Sequence, residues 1–310
     1  MTGNSARGIS EKAKAGMTSF TAPSTGWASF HGGHSHFVDG SGTVAEIAQA
    51  AADRGFVSFG FTEHFTMPPH GEFSPDGRTA DAYKRSDWID QYVAEVRAAR
   101  QRHTGQVSIM LGAELEFLPG ADAWTREQTA RWPFQFFVGS VHHVRYGDTD
   151  YCIDWDRARV AAALAVAGSP ERLQLDYYDH VLELLEWRIA QVIGHLDLIK
   201  IHLDPSEQVD TPAIRAKVRL ILETMRDRGV AMDINARGLA KPCRAIYPAD
   251  WILAEAQRIG VSVTLGDDSH GPHEVGARLE LAGAALRRAG YRQMALVQPA
   301  GVLESVPLPA

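Results

Sequence analysis

Histidine and acidic residues recur in this sequence at the points where short apolar runs end. Imidazole and carboxylate groups together are typical ligands of Zn²⁺, Mn²⁺ or Fe²⁺. Nine candidates exceed what one ion needs, so we expect two or three divalent transition-metal ions that share bridging carboxylates. Such ions are the usual clamp for phosphate ester hydrolysis, because they activate water and absorb developing charge. The candidate ligands are His34, His36, Asp39, His64, Glu114, His142, His195, Asp268 and His270.

The segment HGGHSH contains one histidine pair with alternate spacing, His34 and His36. Residues i and i+2 of a strand point to the same side, so both imidazoles could hold one ion. Asp39 follows in a Gly-rich turn, where it could add a carboxylate ligand or only form the turn. For any single histidine, a hydrogen-bonded structural role is at least as common. The metal hypothesis therefore depends on the recurrence of the pattern.

The apolar runs predict buried strands, because they are short and rich in Val, Ile and Phe. Helical patterns lie between most of them, and Thr43 with Glu46 suits a capping box. Alternating strands and helices imply parallel strands that close a barrel, with active residues at the carboxyl ends. With their polar ends, the runs span residues 28–36, 56–64, 107–116, 134–143, 190–197, 230–238 and 261–270. The predicted helices are residues 43–54, 84–103, 212–228, 250–259 and 276–289.

The 310 residues suffice for one barrel-type domain, which we place at 26–310 after a polar tail at 1–25. A net charge of −7 argues against nucleic acid as a partner. No apolar run approaches the ~18 residues of a membrane span, and the N-terminus does not resemble a secretory signal. Two cysteines are too few for a disulfide framework, which favours a reduced, cytoplasmic setting.

Other catalytic signatures are absent from the sequence. There is no GxSxG elbow, since Gly139-Ser140-Val141 lacks the second glycine, and no GxxxxGK[ST] loop. The two cysteines have no convincing partner motif. Nucleophilic catalysis by Ser or Cys is therefore disfavoured.

These same motifs carry a family resemblance. The segments HGGHSH, GFTEH, GAELEF, VGSVHHV with IDWD, IGHLDLIK, DINARGLAKP with IYP, and TLGDDSHGP follow one another over about residues 28–276. In this order they resemble the polymerase-and-histidinol-phosphatase (PHP) superfamily. GSVHH, GHLDLIK, the Asn235 motif and DDSH are similar to its monofunctional histidinol-phosphatase branch.

The resemblance implies a distorted TIM-like (β/α)₇ barrel of the α/β class and a trinuclear metal centre. It implies that His34 and His36 are the first ligand pair, that Glu114 bridges ions, and that His64, His142, His195, Asp268 and His270 complete the centre. Family members often place a histidine in the turn that holds Asp39 here. Glu114, His142 and Asp268 are the residues we expect to be essential for catalysis, in which a metal-bridging hydroxide attacks phosphorus in line.

The substrate would be a small phosphate monoester, and the resemblance implies L-histidinol phosphate, in histidine biosynthesis. Its phosphate needs cations, for which Arg237 and Lys241 are candidates, although either could be a solvated surface residue. Its amino group would need a carboxylate, for which Glu63 and Glu116 are available, unless they only support metal ligands. Tyr247 could stack on the imidazole or belong to the core.

Two alternatives stay open at this point. Another PHP phosphoesterase, such as a nucleotide phosphatase or 3′–5′ exonuclease, would share the metal motifs, but it would be expected to show a basic groove and aromatic platforms. A non-catalytic metal-binding module is the second alternative. It is disfavoured because nearly every ligand position is filled.

Overall fold

The computed structural model describes residues 26–68 and 85–309, and a parallel sheet forms its centre. Four of the seven strands of this sheet lie in the N-terminal half of the chain. The seven strands are β1 (Ala28–Ser29), β2 (Ser58–His64), β3 (Ser108–Glu116), β4 (Phe136–Ser140), β7 (Val192–Ile193), β8 (Ala231–Asn235) and β9 (Val263–Gly266). Their order in the sheet follows the chain, and every neighbouring pair is parallel. All seven apolar runs are thus confirmed as strands.

The first and last strands come together and curve the sheet into a barrel. The Phe30 amide donates to the Leu265 carbonyl at 2.9 Å, and the Asp268 amide donates to the His31 carbonyl at 2.8 Å. Because all seven strands are parallel, their carboxyl ends meet at one mouth of the barrel. The expected (β/α)₇ architecture is confirmed, and it brings the polar run ends to one place.

Helices connect the strands and cover the outside of the barrel. Thr43 begins the first one with the predicted capping box: its hydroxyl accepts from the Glu46 amide, and the Glu46 carboxylate accepts from the Thr43 amide at 2.7 Å. This helix buries Val44, Ile47 and Ala51 against the barrel. The described helices are Val44–Asp53, Ile89–Arg102, Asp122–Thr129, Arg157–Ala167, Pro170–Glu186, Pro212–Arg228, Asp250–Ile259 and Leu279–Ala289.

The structure contains helices and hairpins that were not predicted from the sequence. Helices Asp122–Thr129, Arg157–Ala167 and Pro170–Glu186 are three of these. Two antiparallel hairpins are also new: β5 (His143–Tyr146) with β6 (Thr149–Cys152), and β10 (Gln293–Val297) with β11 (Leu303–Pro307). The first hairpin directly follows β4 and so stands beside the barrel mouth.

Two expectations concern parts of the chain outside this description. The polar tail at 1–25 lies outside the described residues, as does residue 84, the first of the helix predicted at 84–103. Residues 85–88 are described and precede the helix, which begins at Ile89 rather than at 84. Within the described residues, no helix has the length and apolar character needed to span a membrane.

Candidate metal centre

Glu114 lies near the end of β3, and its carboxylate is the centre of the site. The side chain is 1% exposed, and Oε1 faces three imidazoles. Glu114 Oε1 lies 3.2 Å from His31 Nε2, 3.4 Å from His142 Nε2 and 3.3 Å from His195 Nε2. These histidines follow three different strands, β1, β4 and β7. The barrel therefore converges three imidazoles on one carboxylate oxygen.

The second oxygen of Glu114 faces a different set of histidines. Glu114 Oε2 lies 3.0 Å from His64 Nδ1 at the end of β2 and 3.7 Å from His34 Nε2. A carboxylate whose two oxygens face separate groups of imidazoles has the arrangement of a bridging ligand. The bridging role proposed for Glu114 thus has a geometric basis.

A more accessible cluster surrounds Asp39. The ligand atoms of His34, Asp39, His64 and His270 lie within 4.8 Å of one another. Asp39 Oδ2 is 3.6 Å from His64 Nε2 and 3.4 Å from His270 Nε2, and its side chain is 27% exposed. The turn residue is therefore positioned as a ligand rather than only as a turn former.

Asp268 lies between the histidines around Glu114 and those around Asp39. Its Oδ1 lies 3.4 Å from His34 Nε2 and 3.6 Å from His270 Nδ1. The ligand atoms of His31, His34 and Asp268 form a second close group, and those of His31, Glu114 and His195 form a third. Three overlapping groups suit a centre with more than one ion.

The buried polar atoms of the centre support metal binding. Among the described residues, both oxygens of Glu114, both ring nitrogens of His34 and Nε2 of His31 have no hydrogen-bond partner. Leaving such atoms buried without a partner is costly. Ligands at about 2.0–2.1 Å from a tetrahedral ion would be separated by roughly 3.3 Å, close to the distances around Glu114. The donor set and its spacing therefore fit divalent transition-metal ions.

His36 is not brought into the centre, and His31 takes a place that was not predicted. β1 ends at Ser29, and the chain then turns at Gly32 and Gly33, where φ is 151° and 72°. Alternate spacing consequently does not place His34 and His36 on one side. His36 is exposed, and its ring Nδ1 lies 3.2 Å from the Gly42 carbonyl. His31 is 0% exposed. Its position directly after a strand was the signal available in the sequence.

A buried network on β8 holds these ligands in place. Asp233 Oδ2 accepts from His31 Nδ1 at 2.6 Å and from the His195 amide at 3.3 Å. The Asn235 amide group donates to Asp233 Oδ2 and to Asp268 Oδ2, both at 3.1 Å. A carboxylate that accepts from the far nitrogen of a metal-binding imidazole fixes its orientation and raises its basicity. Sequence reasoning missed Asp233.

Glu63 and Glu116, candidates for binding the substrate amino group, instead face histidines, and Glu63 Oε1 lies 3.7 Å from His34 Nδ1. Glu63 Oε2 accepts from the amide of Ser35 at 2.8 Å and from its hydroxyl at 2.7 Å. Glu116 lies 2.6 Å from His142 Nδ1 and 2.9 Å from His143 Nδ1. Neither glutamate lines the pocket described below. Both therefore match the supporting role rather than a substrate contact.

Electrostatics keep the carboxylates of the centre ionised. Burial would raise the pKa of Glu116, but His142 and His143 lower it to about 2. Burial would likewise raise the pKa of Glu114, yet His31 and His64 hold it well below its usual value. Ionised carboxylates are the form that binds cations.

A pocket of about 500 Å³ opens above the centre. The predicted contacts Arg237, Lys241 and Tyr247 all line it. Arg237 donates to the Asp268 carbonyl at 2.8 Å and pairs with Glu274. Other lining residues are Asp39, His64, Glu114, His142, Asp154, Trp155, His195, Leu198, Ile201, Asp268 and His270. A polar floor beneath a pocket of this size is typical of a small-molecule site.

Known proteins share this sequence pattern and this fold. A Schizosaccharomyces pombe protein named probable histidinol-phosphatase is 29% identical over 274 residues, which is 86% of this chain and 88% of that protein. A Deinococcus radiodurans protein with the same name is 30% identical over 259 residues, 81% of this chain and 89% of that protein.

A solved structure extends the comparison. The histidinol phosphate phosphatase of Lactococcus lactis, crystallised with Zn, L-histidinol and phosphate, superposes with a TM-score of 0.65 at 20% identity, covering 89% of this chain and 98% of that one. At this identity the likeness concerns the fold. The PHP domain model matches residues 31–237, more than half of the sequence. This chain therefore belongs to the PHP domain family.

Proposed function

We propose that this chain is a metal-dependent phosphomonoesterase that hydrolyses L-histidinol phosphate to L-histidinol and phosphate, a reaction of histidine biosynthesis. The observation that carries the proposal is the position of Glu114, whose two oxygens face five imidazoles at the floor of the pocket. A bridging carboxylate among imidazoles suits the ion pairs used in phosphate ester hydrolysis.

The ions would be held in an inner and an outer group of residues. The inner group is His31, Glu114, His142 and His195, and the outer group is His34, Asp39, His64 and His270, with Asp268 near both. When bound, two or three ions such as Zn²⁺, Mn²⁺ or Fe²⁺ would activate a water molecule and neutralise charge on the phosphoryl oxygens. Asp233, Glu63 and Glu116 would keep the ligands oriented without contacting the substrate.

Lys241 and Arg237 would bind the phosphate. Both line the pocket, and within residues 26–68 and 85–309 Lys241 forms no ion pair. Arg237 is held by Glu274 and by the Asp268 carbonyl, so its guanidinium is fixed near the mouth of the centre. Preorganised cations stabilise the charge that develops on phosphoryl oxygens in the transition state. Because Arg237 is already paired with Glu274, Lys241 is more available than Arg237 to bind the substrate phosphate.

The names of the relatives support this choice of substrate. The two relatives named probable histidinol-phosphatase match most of this chain, and the Lactococcus lactis structure contains L-histidinol and phosphate. The pocket volume of about 500 Å³ also agrees with a small phosphate monoester. The net charge of −7 argues against nucleic acid as a partner.

Phosphate release tests the proposal. Purified protein with its metal should release phosphate from L-histidinol phosphate much faster than from AMP or a dinucleotide. Equal or reversed rates would favour a nucleotide phosphatase or exonuclease of the same family. No phosphate release from any of the three would contradict phosphoesterase activity altogether.

A further inference from the structure

Four carboxylates line the pocket, and one of them, Asp154, does not belong to the close groups of ligand atoms described above. Asp39, Glu114 and Asp268 each lie within 4.0 Å of histidine nitrogens. Asp154, by contrast, forms no ion pair with any residue in the described parts of the chain. A pocket carboxylate without a cationic partner is available for a cation on a ligand.

The segment around Asp154 is fixed in relation to His142. Across the hairpin, Cys152 on β6 pairs with His143 on β5, and the Ile153 amide donates to the His142 carbonyl at 2.9 Å. The Asp154 carbonyl lies 3.1 Å from His202 Nε2. Asp154 is therefore held on a rigid edge of the pocket rather than on a loose loop.

The carboxylate of Asp154 is itself oriented by a thiol. Cys152 Sγ lies 3.0 Å from Asp154 Oδ1, and the thiol is buried. Burial and the charge of Asp154 raise the pKa of Cys152, so the sulfur keeps its proton and donates it to the carboxylate. A thiol is a weak donor, so it leaves Asp154 with most of its capacity to bind a stronger one.

We propose that Asp154 determines substrate specificity by binding the cationic amino group of the substrate alcohol. The inference rests on the proposed function, because it requires a phosphate ester that carries an ammonium group. Lys241 and Asp154 both line the pocket, and neither forms an ion pair within residues 26–68 and 85–309. A molecule with a phosphate and an ammonium group matches both, whereas a simple phosphate ester satisfies only Lys241.

Glu63 and Glu116 are not placed to bind the substrate amino group. Glu63 accepts from Ser35 through Oε2 and faces His34 with Oε1. Glu116 lies against two histidine rings, and neither carboxylate lines the pocket. A new ammonium partner there would disrupt the support of the metal ligands. Asp154 can bind one without disturbing any histidine hydrogen bond given above.

The test compares two substrates in the metal-loaded enzyme. L-Histidinol phosphate carries the amino group, and imidazolylpropyl phosphate is the same ester without it. We expect Asp154→Asn to raise KM for L-histidinol phosphate roughly 10–100-fold, the range for a hydrogen bond to a charged group, with kcat little changed. For the ester without the amino group, the variant and the wild type should have the same KM.

Asp148→Asn changes an exposed carboxylate in the turn between β5 and β6 and should leave both KM values unaltered. An equal change of KM for both esters in Asp154→Asn, or no change for either, would overturn the role of Asp154 alone. A wild-type enzyme that releases no phosphate from L-histidinol phosphate would overturn the proposed function and this inference with it.

Discussion

His31 shows how one residue can be misjudged from spacing and still be central to the site. Its Nδ1 is hydrogen-bonded to Asp233, its Nε2 faces Glu114 and is left for an ion, and the side chain is fully buried. The His34–Ser35–His36 spacing suggested a strand pair instead. Residues i and i+2 point to the same side only while the chain is extended, and β1 has already ended at Ser29.

Because His31 lies in the centre and His36 does not, alanine substitutions of the two histidines form a matched pair. His31→Ala should lower the metal content by at least one ion per chain and reduce kcat/KM more than about 100-fold, since the loss of an inner ligand exceeds the 10–100-fold effect of supporting residues. His36→Ala should keep the metal content and most of the activity. Elemental analysis of both purified variants checks this. Loss of metal in His36→Ala, with retention in His31→Ala, would restore the spacing interpretation.

Glu116 should act through the histidines that it orients. Glu116→Gln keeps the size of the side chain but removes the charge facing His142 and His143, so metal affinity should fall roughly 10–100-fold. Competition with a chelating dye measures this affinity directly. Glu127→Gln, an exposed change of the same kind on helix Asp122–Thr129, should have no effect. Unchanged affinity in Glu116→Gln would contradict the supporting role.

At the scale of elements, the parallel strands were predictable and the antiparallel additions were not. Runs such as 56–64 are apolar on both faces and end in ligand-type residues. Seven such ends favour a parallel barrel. The helix Pro212–Arg228 matched its prediction because Thr211, Pro212 and Gly229 provide clear start and stop signals. The β5–β6 hairpin begins at His143, inside the run 134–143, and its short strands are rich in polar residues such as Arg145 and Asp150. No apolar period therefore marks them. Asp154 was missed for this reason.

Close approach between β8, β9 and the segment after β1 requires a glycine at 266. A Cβ on Gly266 would lie 2.2 Å from Asp233 Oδ1 and 2.8 Å from His31 Cβ. Gly266→Ala should therefore destabilise the protein by about 1–3 kcal/mol and weaken metal binding. Urea denaturation checks the first effect.

Gly283→Ala is the control for this substitution. There the nearest atom to a new Cβ is 3.3 Å away, on the Trp27 ring, and alanine also favours helix Leu279–Ala289. Its free energy of unfolding should not fall appreciably. Equal stability of the two variants would show that the packing around His31 and Asp233 is less tight than the structure indicates.

At the scale of the whole molecule, the barrel buries several carboxylates at the carboxyl ends of its strands. Bound metal ions would supply the positive charge that these carboxylates need. The carboxylates and imidazoles of the centre come from all parts of the barrel circle, so ions bound among them connect strands that are distant in sequence. Ligands that bind only the folded state stabilise it by mass action. Metal binding should consequently contribute to the stability of the entire fold.

Metal removal should lower the melting temperature. Stabilisation of about 4 kcal/mol, as for an ion at 1,000 times its Kd, corresponds to roughly 10 °C in a protein of this size. Thermal melts before and after dialysis against a chelator measure the shift, and readdition of Zn²⁺ or Mn²⁺ should reverse it. Addition of Mg²⁺ alone should restore less, because imidazole-rich sites disfavour it. Identical melts with and without chelator would argue against metal binding at Glu114.

The most direct test is the rate of phosphate release from L-histidinol phosphate as metal is returned to chelated protein, with bound ions counted at each point. The rate should start near zero and reach its plateau only when at least two ions are bound per chain. Full activity in metal-free protein, or a plateau reached at one ion, would contradict a shared centre bridged by Glu114.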